Sequence, residues 1–202
     1  MKYYVSFIAL ALMNCAGQLD QHSIILPKDN YNDLVYKYKS CSGNGNINSV
    51  GPINGSLAFS FRSQRDSTFF QFTDPIGRKA LLMWITPNNV TARNLIDNKQ
   101  YSYDQIIDFF PFLKVMNPNK ITEFLWGVVP EYEQKDNVRY PSNSKNITLE
   151  FLSQPIGDEP HALAIAEFQD NESNQTVRVN IKNRKRNMSQ TNLKKVWKLL
   201  EY

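Results

Sequence analysis

The chain carries two cysteines and two histidines, and none of them sits in a recognisable catalytic or metal-binding arrangement. His22 lies in a polar leader and His161 follows Pro160, and no His/Cys/Asp cluster has metal-ligand spacing. A hydroxyl or thiol nucleophile needs a neighbouring base, yet there is no G-x-S-x-G elbow and no Gly-rich phosphate cradle. Gly43, Gly45, Gly51 and Gly55 punctuate what reads as a loop without a nucleotide fingerprint. Paired carboxylates can do acid–base work. The candidate pairs, Asp104 with Asp108 on a predicted helix and Glu131 with Glu133 at a turn, read instead as solvated surface. These residues predict no enzyme, no metal and no cofactor.

The residue with an assignable chemistry is Cys15. Met1-Lys2 gives a positive start, Tyr3 to Met13 is an uncharged and mostly apolar run, and polar residues follow the cysteine. That run has signal-peptide length and is too short to span a bilayer. Leu12 supplies the apolar residue that a lipoprotein signal needs three before the cysteine, while Asn14 stands where Gly, Ala or Ser is usual. The expectation is cleavage before Cys15 and lipid on its sulfur; an ordinary signal peptide or an uncleaved anchor would use the same apolar run. On this reading residues 1–14 are a lipoprotein signal, 15–30 a mobile tether and 31–202 one domain, long enough to bury a core. Cys41 then has no disulfide partner and reads as a small buried apolar residue.

The formal charge is +4, concentrated in Lys182, Arg184, Lys185, Arg186, Lys194, Lys195 and Lys198. Such a patch either meets anionic headgroups at about 1 kcal/mol per charge or forms a solvated face. No nucleic-acid-binding motif accompanies it.

Three segments have helical spacing: Tyr31, Leu34, Val35 and Tyr38; Tyr103, Ile106, Ile107 and Phe110; Ile121, Phe124, Leu125 and Val128. Pro111 and Pro130 are the expected stops of the second and third. Strands are expected over Leu57–Phe61, Phe70–Phe72, Leu81–Ile85, Val90–Ile96, Ile147–Leu152, Leu163–Phe168 and Val177–Ile181. The C-terminal Leu193, Val196, Trp197 and Leu200 fit a helix, although Leu193, Lys195, Trp197 and Leu199 fit a strand. Short turn-rich connections favour an antiparallel meander. Ala80 to Ile85 is apolar on both faces. Either a strongly curved sheet with helices filling its open side or an ordinary close-packed core would use both faces.

One turn stands apart. Asp74, Pro75 and Gly77 hold the first, second and fourth places preferred in a type I β-turn, which leaves Ile76 at the third. Burying such a side chain is worth roughly 1.5–3 kcal/mol. Either it meets something apolar beyond the tip, or it folds back onto its own sheet.

The lipid-anchored Cys15, the first helix, the Gly55-Ser56-Leu57-Ala58-Phe59 strand and the strand–Asp74-Pro75-Ile76-Gly77–strand hairpin together resemble LolB, the outer-membrane lipoprotein receptor family. Trp126-Gly127 with Pro130 is similar to that family's W-x-L-G-x-P segment. The likeness runs from about Tyr31 to the C-terminus, by pattern outside these motifs. It implies an α+β fold: a strongly curved antiparallel sheet, an incomplete β-barrel, with helices covering the open side. It implies an apolar cavity for lipoprotein acyl chains, tentatively lined by Phe59, Phe61, Phe70, Phe72, Leu81, Met83, Ile85, Phe124 and Leu125. It also implies a membrane-insertion turn at Asp74–Gly77 with Ile76 protruding and Arg78-Lys79 near headgroups, an outer-membrane location on the periplasmic face, and a periplasmic lipoprotein carrier as partner. Ala16 lacks the Asp of an inner-membrane retention signal. Cys41, the polar stretch from Glu131 to Lys145 and the basic tail have no counterpart in the family. The alternative is a scaffold lipoprotein that uses the same fold to bind a protein partner of an envelope machine. Nothing in the sequence demands more than a monomer.

Overall fold

The structure, a computed structural model, describes residues 29–109, 113, 116–130 and 147–197. Cys15, residues 1–14, Phe110, Pro111, the carboxylates Glu131 and Glu133, and Lys198 lie outside the described residues. After helix α1 (Tyr31–Lys37), capped by the Asn30 side chain on the Asn32 N–H, come β1 (Ser40–Val50), β2 (Gly55–Gln64), β3 (Ser67–Thr73), β4 (Lys79–Thr86), β5 (Asn89–Asn94) and β6 (Lys99–Tyr101). Helices α2 (Tyr103–Phe109) and α3 (Pro118–Trp126) follow, then β7 (Ile147–Ile156), β8 (Glu159–Asp170), β9 (Gln175–Asn187) and α4 (Leu193–Trp197).

The nine strands form one antiparallel sheet in the order β6-β5-β4-β3-β2-β1-β9-β8-β7, open between its edge strands. Its shape follows from one observation. Met83 of β4 and Leu149 of β7 line the same small cavity, although six strand steps separate them. In a flat sheet those steps would span about 29 Å, so the sheet must curl to bring them together.

β1 corrects the loop reading of its glycines. Gly43 and Gly45 lie inside the strand, opposite Phe61 and Phe59. A Cβ on Gly43 would fall 2.6 Å from the Phe61 ring, and one on Gly45 2.7 Å from the Phe59 ring. The missing side chains are the space into which two core rings fold.

α3 lies in the hollow of this sheet. Asn117 caps its N-terminus through the Lys120 N–H and Pro118 opens the first turn. It ends at Gly127, in the left-handed region at φ 90°, before Pro130 is reached. Ile121, Thr122, Glu123, Phe124, Leu125 and Trp126 are all buried. Each large apolar side chain among them contributes roughly 1.5–3 kcal/mol. Polar contacts fix the helix in place: Trp126 Nε1 donates to Ser63 Oγ at 2.8 Å, and Thr122 and Thr68 hydroxyls lie 3.2 Å apart. Tyr31 of α1 meets Trp126 edge-on.

Its C-terminal carbonyls are held from β9. Arg184 donates to the carbonyls of Leu125 (2.8 Å), Phe124 (3.3 Å) and Leu163 (2.6 Å), and Arg186 to that of Trp126 (2.8 Å) and to Glu159 (2.9 Å). Cations there complement the negative end of the helix dipole. Two members of the basic segment are therefore internal struts, neither a headgroup patch nor a solvated face. Burial pulls the Arg184 guanidinium down to about 10, which leaves it charged at neutral pH.

The second apolar face of β3 and β4 has its own cover. Phe69 and Leu82 pack with Leu193 of α4, flanked by Trp84 and Val196. The C-terminal segment thus takes up its helical alternative, outside the curl, while α3 fills the inside.

Arg184→Met should strand acceptor carbonyls in the core and cost roughly 1–3 kcal/mol. Gly127→Ala should be destabilising by more than about 1 kcal/mol because of its positive φ. Urea unfolding midpoints of both variants measure this; unchanged midpoints would show that the clasp does not hold the helix.

Candidate functional site

Antiparallel pairing gathers the β1–β2, β3–β4, β5–β6 and β8–β9 turns at one end of the sheet, as the registers Ser49↔Gly55, Thr73↔Lys79, Asn94↔Lys99, Val50↔Thr176 and Asp170↔Gln175 require. A hollow of about 350 Å³ opens there. Its walls are Ile47, Leu57, Leu81, Ala92, Tyr101, Ile106 and Val177, with Ile53 and Ile96 at the lip and Ser49, Asn54, Ser56 and Asn94 as the polar members. This size falls in the range of small-ligand sites.

Deeper in the curl is a second space of about 30 Å³, enclosed by apolar side chains. It is water-sized, and apolar cavities far larger than this stay dry. Ile47 and Val177 line both spaces and so stand between them. Of the residues that the sequence resemblance nominates for an acyl cavity, Phe59, Phe70, Phe72, Met83, Ile85, Phe124 and Leu125 surround the inner space. Leu81 lines the outer hollow, and Phe61 is buried in the core but lines neither. The nominated set therefore divides: most of it fills the interior, and the roomier hollow is walled largely by other residues.

The β3–β4 turn is built by Asp74. Its carbonyl accepts from the Gly77 N–H at 2.9 Å, and its own N–H donates to the Arg78 carbonyl at 2.9 Å. Carboxylate oxygen Oδ1 accepts from the N–H groups of Ile76 and Arg78, and Oδ2 accepts from Arg78 Nε at 2.7 Å. Gly77 supplies φ +88°, which suits glycine. Desolvation pushes the Asp74 carboxyl upward, but the Arg78 N–H, the Arg78 guanidinium and the Ile76 N–H outweigh it and hold the group below its ordinary value. Ile76 does not fold back onto the sheet: it is 74 % exposed.

Ile76 has company at this end. Val50, at the end of β1, and Ile53, Leu95 and Ile96, on the β1–β2 and β5–β6 turns, are also exposed. β5 stops at Asn94, short of the expected Ile96, because the Asn94 side chain accepts from the Ile96 and Asp97 N–H groups and turns the chain.

Elsewhere the side chains offer little chemistry. Cys41 is fully buried, its Sγ 3.7 Å from the Leu125 carbonyl. Burial pushes its thiol up to about 11, which suits a packed side chain and not a nucleophile. Asp104 is exposed. Among the described residues no group of His, Cys, Asp or Glu could hold a metal ion, and no helix is long and apolar enough to cross a membrane.

No protein-family model matches the chain, and no curated protein matches it. Among solved structures it is similar to a DUF1329 family protein from Desulfovibrio piger, with a TM-score of 0.45 and 7 % identity over 79 % of this chain and 90 % of that one.

The turn's geometry makes two expectations. Ile76→Ser should leave unfolding free energy within about 0.5 kcal/mol of wild type, because the side chain supports nothing beneath it. Asp74→Asn should lower the thermal midpoint at neutral pH. A depressed carboxyl stabilises above its ordinary pKa and loses that contribution as pH falls through the folded-state value, so the two proteins should converge in acid. Thermal scans across pH check both; a constant gap would exclude the carboxylate as its source.

Proposed function

We propose that this protein is a lipid-anchored acceptor that takes up lipoprotein acyl chains and passes them into the outer membrane, in the manner of the LolB-like receptors its motifs resemble. The reading is supported above all by one juxtaposition: an apolar hollow of about 350 Å³ opens at the same end of the sheet as the exposed Ile76. In this role the sheet is an incomplete barrel and α3 the principal cover of its open side. A lipid on Cys15 tethers the domain to the periplasmic face, a periplasmic carrier delivers the cargo, and the protein works as a monomer without cofactor.

An acyl chain gains about 0.8 kcal/mol for each CH₂ removed from water. Moving it from one apolar container to another costs little of that gain, so delivery needs no chemical energy. The outer hollow receives the chain first. Deeper entry requires Ile47 and Val177 to part and the phenylalanines around the inner space to shift, because about 30 Å³ cannot house an acyl chain: a cavity of roughly 150 Å³ is what benzene needs.

That filled interior favours a second reading, a scaffold that keeps the fold but binds a protein partner of an envelope assembly. Transfer assays separate the two. Ile76→Glu should fold normally and still accept an acylated lipoprotein from its carrier, yet fail to deliver it to outer-membrane vesicles. Normal delivery by this variant would reject the turn's role. Absence of any uptake by wild type, together with a soluble partner in pull-downs, would favour the scaffold.

A further inference from the structure

The turn end offers more than a single protruding residue. Of the seven large apolar side chains exposed among the described residues, five lie at this one end: Ile53, Ile76, Leu95 and Ile96 on three turns, and Val50 at the end of β1. Scattered exposed apolar residues are ordinary, but a contiguous group marks an interaction surface. Ile53 and Ile96 belong to the group and to the lip of the hollow. The β5–β6 turn is tied to the foot of the β3–β4 hairpin, for the Leu95 N–H donates to the Ala80 carbonyl at 2.9 Å. Ile76 and Leu95-Ile96 therefore rise from one joined piece of backbone.

The charges at these three turns are mixed, Arg78, Lys79 and Lys99 against Asp74 and Asp97, and two further carboxylates, Asp170 and Glu172, stand at the β8–β9 turn. Lys79 and Lys99 are exposed at the feet of the two turns. The carboxylate of Asp74 is taken up by Arg78 and the turn's own N–H groups, and Asp97 accepts from Asn94 Nδ2. Asp170 accepts from the Glu172 and Ser173 N–H groups. Apolar tips flanked by lysines are the composition of a surface that lies in a lipid interface and attracts anionic headgroups.

We infer that the β1–β2, β3–β4 and β5–β6 turns form one membrane-docking face, which seats on an anionic lipid surface with Ile53, Ile76 and Ile96 dipping into the acyl region and the hollow opening between them. The purpose of this face rests on the delivery role proposed above, but docking itself requires no cargo, so cargo is left out of the test. The full chain carrying I53W, I76W or I96W is mixed with phosphatidylglycerol vesicles whose acyl chains are brominated, with Y36W as the control. Tyr36 is 87 % exposed on α1, at the opposite end of the sheet.

Emission should fall at all three turn positions and stay at the wild-type background for Y36W. Adding Lys79→Gln with Lys99→Gln, or changing to phosphatidylcholine, should weaken the quenching at I96W. In the unsubstituted chain, vesicles should slow amide hydrogen exchange at all three turns, which guards against a misfolded tryptophan variant. Quenching at I76W alone would overturn the three-turn face while leaving the delivery turn standing. Equal quenching at Y36W would overturn it as non-specific adsorption, and indifference to charge would overturn the headgroup contribution. Docking without cargo uptake would sink the delivery role and spare the docking face.

Discussion

The structure depends on how α3 is held inside the curl of the sheet. A nine-residue helix with almost no solvent face cannot be stable by itself in water; it exists because the strands wrap it and because β9 supplies donors to its last carbonyls. Arg184 and Arg186 meet four carbonyls and Glu159 between them, and Ser63, Thr68 and Thr122 satisfy the polar groups of the first strands against it. Remove the helix and Phe59, Phe70, Phe72 and Phe168 would face an empty hollow. The curl and the packed interior both depend on this one element being inside.

Much of this arrangement was legible in the sequence. The 3.6-residue spacing marked α1 and α2 within a residue and α3 within three, and alternation marked the strands that carry the phenylalanines. The two apolar faces of Ala80–Ile85 called for two apolar layers, which α3 and α4 supply. What escaped did so for definite reasons. β1 looked like a loop because Gly43 and Gly45 are turn formers by default, and only the Phe61 and Phe59 rings above them explain glycine in a strand. Arg184 and Arg186 looked like surface because Val177, Val179 and Ile181 set the inward parity of β9. An extra residue at Lys182, between the partners of Asn44 and Gly45, reverses that parity. No periodicity argument can anticipate a bulge.

The candidate site was half legible. Asp74, Pro75 and Gly77 announced their turn, and Ile76 its tip. The aromatic residues expected to line a cavity are interior, but they fill the space more than they enclose it. The larger hollow is made by small or aliphatic residues on strand ends, such as Leu57 and Ala92, together with Ile53 and Ile96 on turns, where apolar side chains carry no periodic signal. In the acceptor role proposed above, such a build would keep a packed core when empty and leave room for an acyl chain at the turn end.

Native mass spectrometry of the full chain incubated with a diacylated lipopeptide tests the acyl-chain role most directly. The account predicts one lipopeptide retained per chain, and loss of that complex in Leu57→Trp, which fills the outer hollow without touching the turn. Failure of wild type to retain the lipopeptide, or equal retention by Leu57→Trp, would contradict it.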